Sequence, residues 1–312
     1  MIYLDYAANT PVSDKVLDDF VKVTKQFIAN PNSSHNLGQL AKKQIDNCSE
    51  YISKTFNCPK EGIIFTSGSS ESNNLVIKGV AERYKEQGNH IIISAIEHSS
   101  VVAPVNYLSN LGYEVSVIGL DNNGLIDIEE LKNTITDKTI LVSICSVDSE
   151  LGTIQPIEEI ANIVKDYPDC IFHTDATQAI GKVKLDYSNV DFVTFAPHKF
   201  FGLNGFGALV NRNNIKINPI IHGGKSTTIF RSGTPVTANV LALVAAFKLA
   251  VDNLDTRYEY ISKLNKILRD ELSKIDKVHI NSTSNTIRIS ISHLTSEDEI
   301  YEFLNEFKKV IE

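Results

Sequence analysis

Ile171-Phe172-His173-Thr174-Asp175-Ala176-Thr177-Gln178 is a short apolar, β-branched run that ends on an acid and continues into small polar residues. Just upstream, residues 157–167 place Ile157, Ile160, Ile163 and Val164 at helical spacing, and before them residues 140–147 form another apolar run. Downstream, residues 192–195 repeat the strand pattern as Phe-Val-Thr-Phe. Short apolar runs separated by amphipathic stretches predict strand–helix–strand units. Residues 91–96 and 114–118 extend the series toward the N-terminus. Strands alternating with helices build a mostly parallel sheet buried on both faces, so the predicted fold class is α/β. Ligands of such sheets bind beyond the carboxyl ends of the strands. The polar residues that follow each apolar run are therefore the candidates for function.

Helices are predicted to flank this core. Residues 15–28 and 37–56 precede it, separated by the loop Asn30-Pro31-Asn32-Ser33-Ser34-His35, and residues 236–254, 257–275 and 296–311 follow it. Thr295 is the expected N-cap of the last helix, with Glu297, Asp298 and Glu299 in its first turn. A boundary near residue 255 is expected, giving a large domain over 1–255 and a small one over 256–312. The N-terminal arm is free to pack on the latter.

Composition narrows the class. A net charge of −8 over 312 residues argues against nucleic acid as the main partner, because phosphate binding needs clustered Lys and Arg. No apolar run approaches the roughly 20 residues of a membrane span. Met-Ile-Tyr-Leu-Asp-Tyr at the start lacks the basic segment and apolar stretch of a signal peptide. The expectation is a cytoplasmic protein with no membrane partner. The four cysteines, Cys48, Cys58, Cys145 and Cys170, contain no C-x-x-C pair. They fit neither a zinc site nor a disulfide framework, and read as reduced structural thiols with no metal.

Several polar clusters sit where the fold would place a ligand. Thr66-Ser67-Gly68-Ser69-Ser70-Glu71-Ser72-Asn73-Asn74 leads into a helix near Ser70; free N–H groups there suit a phosphate, or are an ordinary polar cap. His98, after residues 91–96, is a hydrogen-bonded structural residue or a platform for an aromatic ring. Asp175 is either a helix cap or the partner of a cationic ring nitrogen, since burying an acid is costly unless it meets a cation. Lys199 lies in Ala196-Pro197-His198-Lys199-Phe200-Phe201-Gly202, where desolvation would favour the neutral amine that imine chemistry needs; an exposed loop lysine is the alternative. His222-Gly223-Gly224 and Arg231-Ser232-Gly233-Thr234 can grip carboxylate or phosphate, or form plain turns.

Taken in order, these clusters resemble the cysteine desulfurases, in the class V group of pyridoxal 5'-phosphate (PLP)-dependent aminotransferase-fold enzymes. The likeness begins at Tyr3-Leu4-Asp5-Tyr6-Ala7-Ala8-Asn9-Thr10-Pro11, passes through Asn30–His35, Thr66–Asn74, Glu97-His98 and Glu150-Leu151-Gly152-Thr153-Ile154-Gln155-Pro156, and continues through Asp175–Gln178, His198-Lys199 and Arg231–Thr234. The resemblance implies a fold type I sheet with a truncated small C-terminal domain, and PLP as cofactor. It implies that Lys199 forms the Schiff base and moves protons, that His98 stacks on the pyridine ring, and that Asp175 pairs with its nitrogen. Gln178 and Ser149 would lie near the phenolate oxygen. Ser69, Ser70 and His198 would hold the phosphate, with Thr234 supplied by the neighbouring subunit of a homodimer. Arg288, in Thr286-Ile287-Arg288-Ile289-Ser290, resembles the arginine that binds the amino-acid carboxylate, with Asn30 beside the substrate.

The departures from that pattern are specific. The interval 235–287 contains no cysteine and is nearly filled by two long helices, where the family carries a loop whose cysteine accepts sulfur. Ala196 stands where the family has a phosphate-binding serine, Ser149 replaces an asparagine, and Lys225-Ser226-Thr227 replaces a Gly-rich segment. Three readings follow. The first is a desulfurase-like enzyme acting on L-cysteine or an analogue, its sulfur going to a partner protein's cysteine or a small thiol, or leaving as sulfide by elimination. The second is a PLP-dependent lyase or aminotransferase acting on another amino acid. The third is a degenerate homologue serving as a scaffold in sulfur or iron–sulfur assembly.

Overall fold

The computed structural model describes residues 1–224, 226–280 and 286–311; Lys225, one of the sequence departures, lies outside them. Among these residues the strands are β1 (Ile63–Thr66), β2 (His90–Ser94), β3 (Glu114–Ile118), β4 (Thr139–Ser143), β5 (Ile171–Asp175), β6 (Phe192–Phe195) and β7 (Gly207–Asn211). They form one sheet in the order β1-β7-β6-β5-β4-β2-β3. The pairs from β6 through to β3 are parallel, while β7 runs antiparallel to both β6 and β1. The helices are α1 (Asp14–Gln26), α2 (Asn36–Thr55), α3 (Ser69–Tyr84), α4 (Ser99–Ser109), α5 (Ile128–Thr134), α6 (Ile157–Val164), α7 (Thr237–Asp252), α8 (Leu254–Leu272) and α9 (Glu297–Ile311).

The expected mostly parallel sheet is present, with two boundary corrections. The run 140–147 leaves the sheet at Ser143, and 91–96 leaves it at Ser94, because both chains turn away toward the ligand-binding edge. Central strands are buried at every position, whereas β3 at the edge is largely open to solvent. That is why the central strands read as continuous apolar runs. Neighbouring residues serve opposite faces: Ile91 and Ile93 join one apolar cluster, and Ile92 the other. The last helix is capped by Ser296 rather than Thr295. Ser296 Oγ accepts from Glu299 N and Ser296 N donates to Glu299 Oε2, a reciprocal capping box. Thr295 Oγ1 is instead used by Ser292 N.

Helix α7 is apolar nearly all round because it packs on α1 and α2 and is covered on most sides. Its Phe247 meets Phe56, Phe195 and Phe200 at ring-centroid distances of 6.2, 5.4 and 6.4 Å. This aromatic group lies beneath the β6–β7 connection, so the residue next to Lys199 is held by the core. Phe247→Ala is expected to cost about 3–5 kcal/mol, read as a lower urea midpoint. A cost under about 1 kcal/mol would show that the cluster does not support the connection. Phe201 adopts a left-handed φ of 68°. Its N–H donates to Thr10 Oγ1 and its carbonyl accepts from Ser13 N. A non-glycine residue persists there because these bonds over-determine the turn.

Leu268, Leu272, Ile300 and Leu304 form a separate apolar cluster where α8 meets α9. The N-terminal arm reaches it through a parallel bridge between Asp5 and Ser290. No single helix among the described residues is long and apolar enough to cross a membrane.

Candidate active site

The loops leaving the strand ends enclose a cavity of about 500 Å³. Its wall contains Ser69, Ser70, His98, Ser149, Asp175, Gln178, His198, Lys199 and Arg288. Residues far apart in the sequence meet here because β1, β2, β4, β5 and β6 all release their chains at this edge. Two expected residues do not line the cavity. Asn30 accepts from Asn32 N in its own turn, and Thr234 is exposed on its loop.

Lys199 sits in a short 3₁₀ turn, Pro197–Lys199, after β6. Its Nζ donates to Ala7 O at 2.8 Å and to Ala8 O at 2.6 Å, tying the N-terminal arm over the site. Burial and the nearby Arg288 cation hold its ammonium below the usual lysine range, against a weaker pull from Asp175 and Asp5. A larger share of neutral amine is what nucleophilic attack on a carbonyl carbon requires. His198 is pushed down to about 4 by burial, Lys199 and Lys182, and is neutral at physiological pH.

Asp175 acts as a local cap and also accepts from a buried amide. Oδ1 accepts from Thr177 N at 2.9 Å as a local cap, while Oδ2 accepts from Asn73 Nδ2 at 2.7 Å. Asn73 Nδ2 also reaches Ser100 Oγ at 2.9 Å, and Ser100 Oγ lies 2.8 Å from His98 Nδ1. His98 Nδ1 accepts from Ser100 N as well. One buried amide therefore links the expected partner of the ring nitrogen to the expected stacking residue. Asn73 was visible in the sequence only as part of a polar cluster.

The start of α3 offers N–H groups to an anion, although the Glu71 carboxylate of this chain already accepts from one of them, Ser67 N. Ser67, Gly68, Ser69 and Ser70 border the cavity together with Glu71. Burial opposes ionisation of Glu71, but Arg231 and Ser67 outweigh it and hold the carboxyl below its usual range. The Arg231 Nε to Glu71 Oε1 distance is 2.8 Å, so Arg231 is committed inside this chain rather than free to grip a ligand. A Cβ on Gly207 would fall 2.7 Å from the Gly68 backbone; glycine at the head of β7 lets the anion loop close against the sheet.

Arg288 reaches the cavity despite the shortened chain before it. Its guanidinium pairs with Asp5 Oδ1 at 2.8 Å and Glu150 Oε1 at 3.0 Å, and also donates to Ser149 O. Gln178 donates from Nε2 to Ala7 O and accepts at Oε1 from Lys182 Nζ, 2.5 Å away. In the sequence Lys182 is marked only by its place one residue after Gly181, in the turn beyond Gln178. Burial, then Lys199 and Arg288, push it down to about 7.

No cysteine is fully exposed, and each thiol is held in its protonated form. Cys145 does not lie in the strand, as the apolar run implied; it follows β4, borders the cavity and contacts Ile96 O through Sγ. Burial, Glu97 and Asp175 push its thiol well above the usual value. Burial raises Cys48 to about 12 and Cys58 to about 11, and Cys170 upward as well. A protonated, buried thiol is a poor nucleophile. Glu97 is a buried acid raised to about 8 by burial, with Oε1 accepting from Ser94 Oγ and from Cys145 N.

The donor set fits PLP: N–H groups at a helix start for a phosphate, a carboxylate on the far wall, a ring at His98 and an amine at Lys199. Thr177 Oγ1, buried and without a partner among the described residues, also belongs to the cavity wall. Burial of His173 makes the fold sensitive to acid. His173, between Ser143 Oγ and Thr194 Oγ1, is held well below 6.5 by burial. As pH falls below about 6.5 the unfolded chain takes up a proton that folded His173 refuses, costing about 1.4 kcal/mol per pH unit. His173→Asn is expected to flatten the fall in melting temperature between about pH 6.5 and 4; an unchanged slope would contradict this assignment.

The aminotransferase class-V family model matches residues 2–310. The chain is 37% identical over 304 residues to cysteine desulfurase IscS of Dictyoglomus turgidum, covering 95% of this chain and 77% of that protein. Among solved structures, a NifS-like protein superposes with a TM-score of 0.93 at 29% identity, covering 99% of both chains. A structure described as SspA in complex with cysteine has a TM-score of 0.75 at 37% identity, covering 80% of this chain and 72% of that one.

Proposed function

The chain belongs to the class-V aminotransferase family, as a PLP-dependent enzyme of the cysteine desulfurase type, and from that premise we propose that it transfers sulfur from L-cysteine to a thiol outside its own chain. The single observation that carries the external acceptor is the state of the thiols: among the described residues every cysteine is buried or half-buried and held protonated.

PLP, when bound, supplies an electron sink for bonds at the substrate Cα and Cβ. The chain's residues do the rest. Lys199 anchors the cofactor's aldehyde carbon and carries the proton to and from Cα. Asp175 would pair with the ring nitrogen, and the Asn73–Ser100 link would hold His98 in place for stacking on the ring. Ser69, Ser70 and His198 receive the phosphate, with Thr177 Oγ1 facing the same cavity. Gln178 and Ser149 flank the phenolate side. Arg288 takes the substrate carboxylate by exchanging it for Asp5 or Glu150, so substrate entry loosens the N-terminal arm. Thr234, outside the cavity of this protomer, completes the phosphate site of the neighbouring subunit in a homodimer. A division near residue 255, with the cluster between α8 and α9 as the small domain's core, and a cytoplasmic setting that keeps an acceptor thiol reduced complete the reading.

The test is the visible spectrum of the purified protein, followed by L-cysteine with alanine and sulfide assayed together, with and without added thiol. A yellow protein forming alanine only when thiol is supplied supports the proposal. A spectrum that changes without alanine favours the lyase or aminotransferase reading, and a colourless protein after expression with ample cofactor removes the catalytic roles assigned here.

A further inference from the structure

Beside the cofactor cavity lies a larger cleft of about 830 Å³, between the large unit and helices α8 and α9. The two share Ala7, Val147, Ser149, Glu150, Lys199 and Arg288 in their walls, so the cleft leads directly to the catalytic lysine. Its wall carries the apolar residues Ile261, Leu268, Ile289, Ile291 and Phe307. It also carries Lys182, Arg257 and Arg269, and none of these three forms an ion pair among the described residues. Arg257 lies over the Phe201 ring, 5.4 Å from its centroid, and His293 packs on the same ring at 4.4 Å. The carboxylates of the wall are already engaged: Asp148 caps Glu150 N and Leu151 N, and Glu150 pairs with Arg288.

Two arginines without an ion-pair partner among the described residues, in a concave wall, stand out in a chain whose net charge is −8. The molecule as a whole repels anions, and such a cleft focuses them. Its volume is that of a small-molecule site rather than a protein interface.

We propose that this cleft binds the sulfur acceptor, and that the acceptor is a small thiol bearing a carboxylate. The proposal rests on the reading above that the acceptor is external. The thiolate's electron pair forms a bond to Sγ of the substrate cysteine, the Cβ–Sγ bond breaks with its pair going to Cβ, and Cβ takes up a proton. Thiol and L-cysteine become persulfide and L-alanine, with no outside oxidant or reductant. Arg257 receives the acceptor's carboxylate, with Arg269 nearer the mouth, and the apolar residues of the wall cover its carbon skeleton.

The experiment compares 3-mercaptopropionate, 2-mercaptoethanol and cysteamine as acceptors for the PLP-loaded enzyme, with alanine formation measured at equal thiolate concentration. The expected order is anionic over neutral over cationic, with about a tenfold higher kcat/KM for 3-mercaptopropionate than for 2-mercaptoethanol at low salt, shrinking as ionic strength rises. Arg257→Gln, and separately Arg269→Glu at the exposed mouth, are expected to reduce that ratio at least about threefold while the visible spectrum stays unchanged. Equal use of the three thiols would overturn the inference and leave the desulfurase reading standing. So would equal use joined with a clear preference for an acidic cysteinyl peptide, which would assign the cleft to a protein acceptor. No alanine with any thiol would defeat the desulfurase reading itself.

Discussion

Lys199→Ala is expected to abolish the cofactor's visible absorbance and to lower alanine formation from L-cysteine by about 10³-fold or more. The size follows from the two jobs the side chain holds: covalent attachment and proton transfer at one carbon. Its Nζ is placed for both by the Ala7 and Ala8 carbonyls, and burial with the Arg288 cation favours the neutral amine. Lys199→Arg keeps a cation near the same position but cannot attack a carbonyl carbon near neutral pH, so it is expected to be as inactive as the alanine variant. Lys199 is half-buried on a loop, so a large loss of thermal stability is not expected. A variant that keeps both the spectrum and the alanine would mean that the Schiff base forms elsewhere.

Asp175→Asn is the second large effect, expected to lower kcat by about 10²–10³-fold with the cofactor still bound. The change is nearly isosteric, so it removes the negative charge opposite the ring nitrogen while leaving room for the ring. It also converts a charge-assisted bond from Asn73 Nδ2 into a neutral one. Asn73→Ala separates the contributions. It keeps the carboxylate but cuts the bridge to Ser100 and His98, and is expected to cost about tenfold, the equivalent of one hydrogen bond to a charged group. If Asp175→Asn retained full kcat, the carboxylate would be only the cap of Thr177 N.

The central strands could be read in the sequence because burial on both faces leaves no polar residue to interrupt them: β5 and β6 have the bounds their apolar runs implied. Strands β1 and β7 are not legible in the sequence, since each is a short run next to a glycine-rich turn, and only their antiparallel pairing in space brings them into the sheet. Helix α4 carries Pro104 in its interior, which argues locally against a helix that packing nonetheless supports. At the site, Lys199, Asp175 and His98 were legible as polar residues after apolar runs. Arg288 could be placed only through the resemblance, since its partners Asp5 and Glu150 are remote in the chain. Lys182 and Asn73 escaped because their importance lies in what they touch, Gln178 on one side and Asp175 with Ser100 on the other. The local pattern around Cys145 was that of a strand, and only the turn after β4 brings it to the cavity.

The most direct measurement is a single turnover of the PLP-loaded protein with L-cysteine, first without thiol and then with it, scoring alanine and the intact mass of the chain. The expected result is little alanine and no sulfur added to the chain until thiol is supplied, then one alanine for each persulfide formed on the added thiol. Stoichiometric alanine without thiol, with the chain heavier by one sulfur atom, would contradict the account and show that one of its own cysteines is the acceptor.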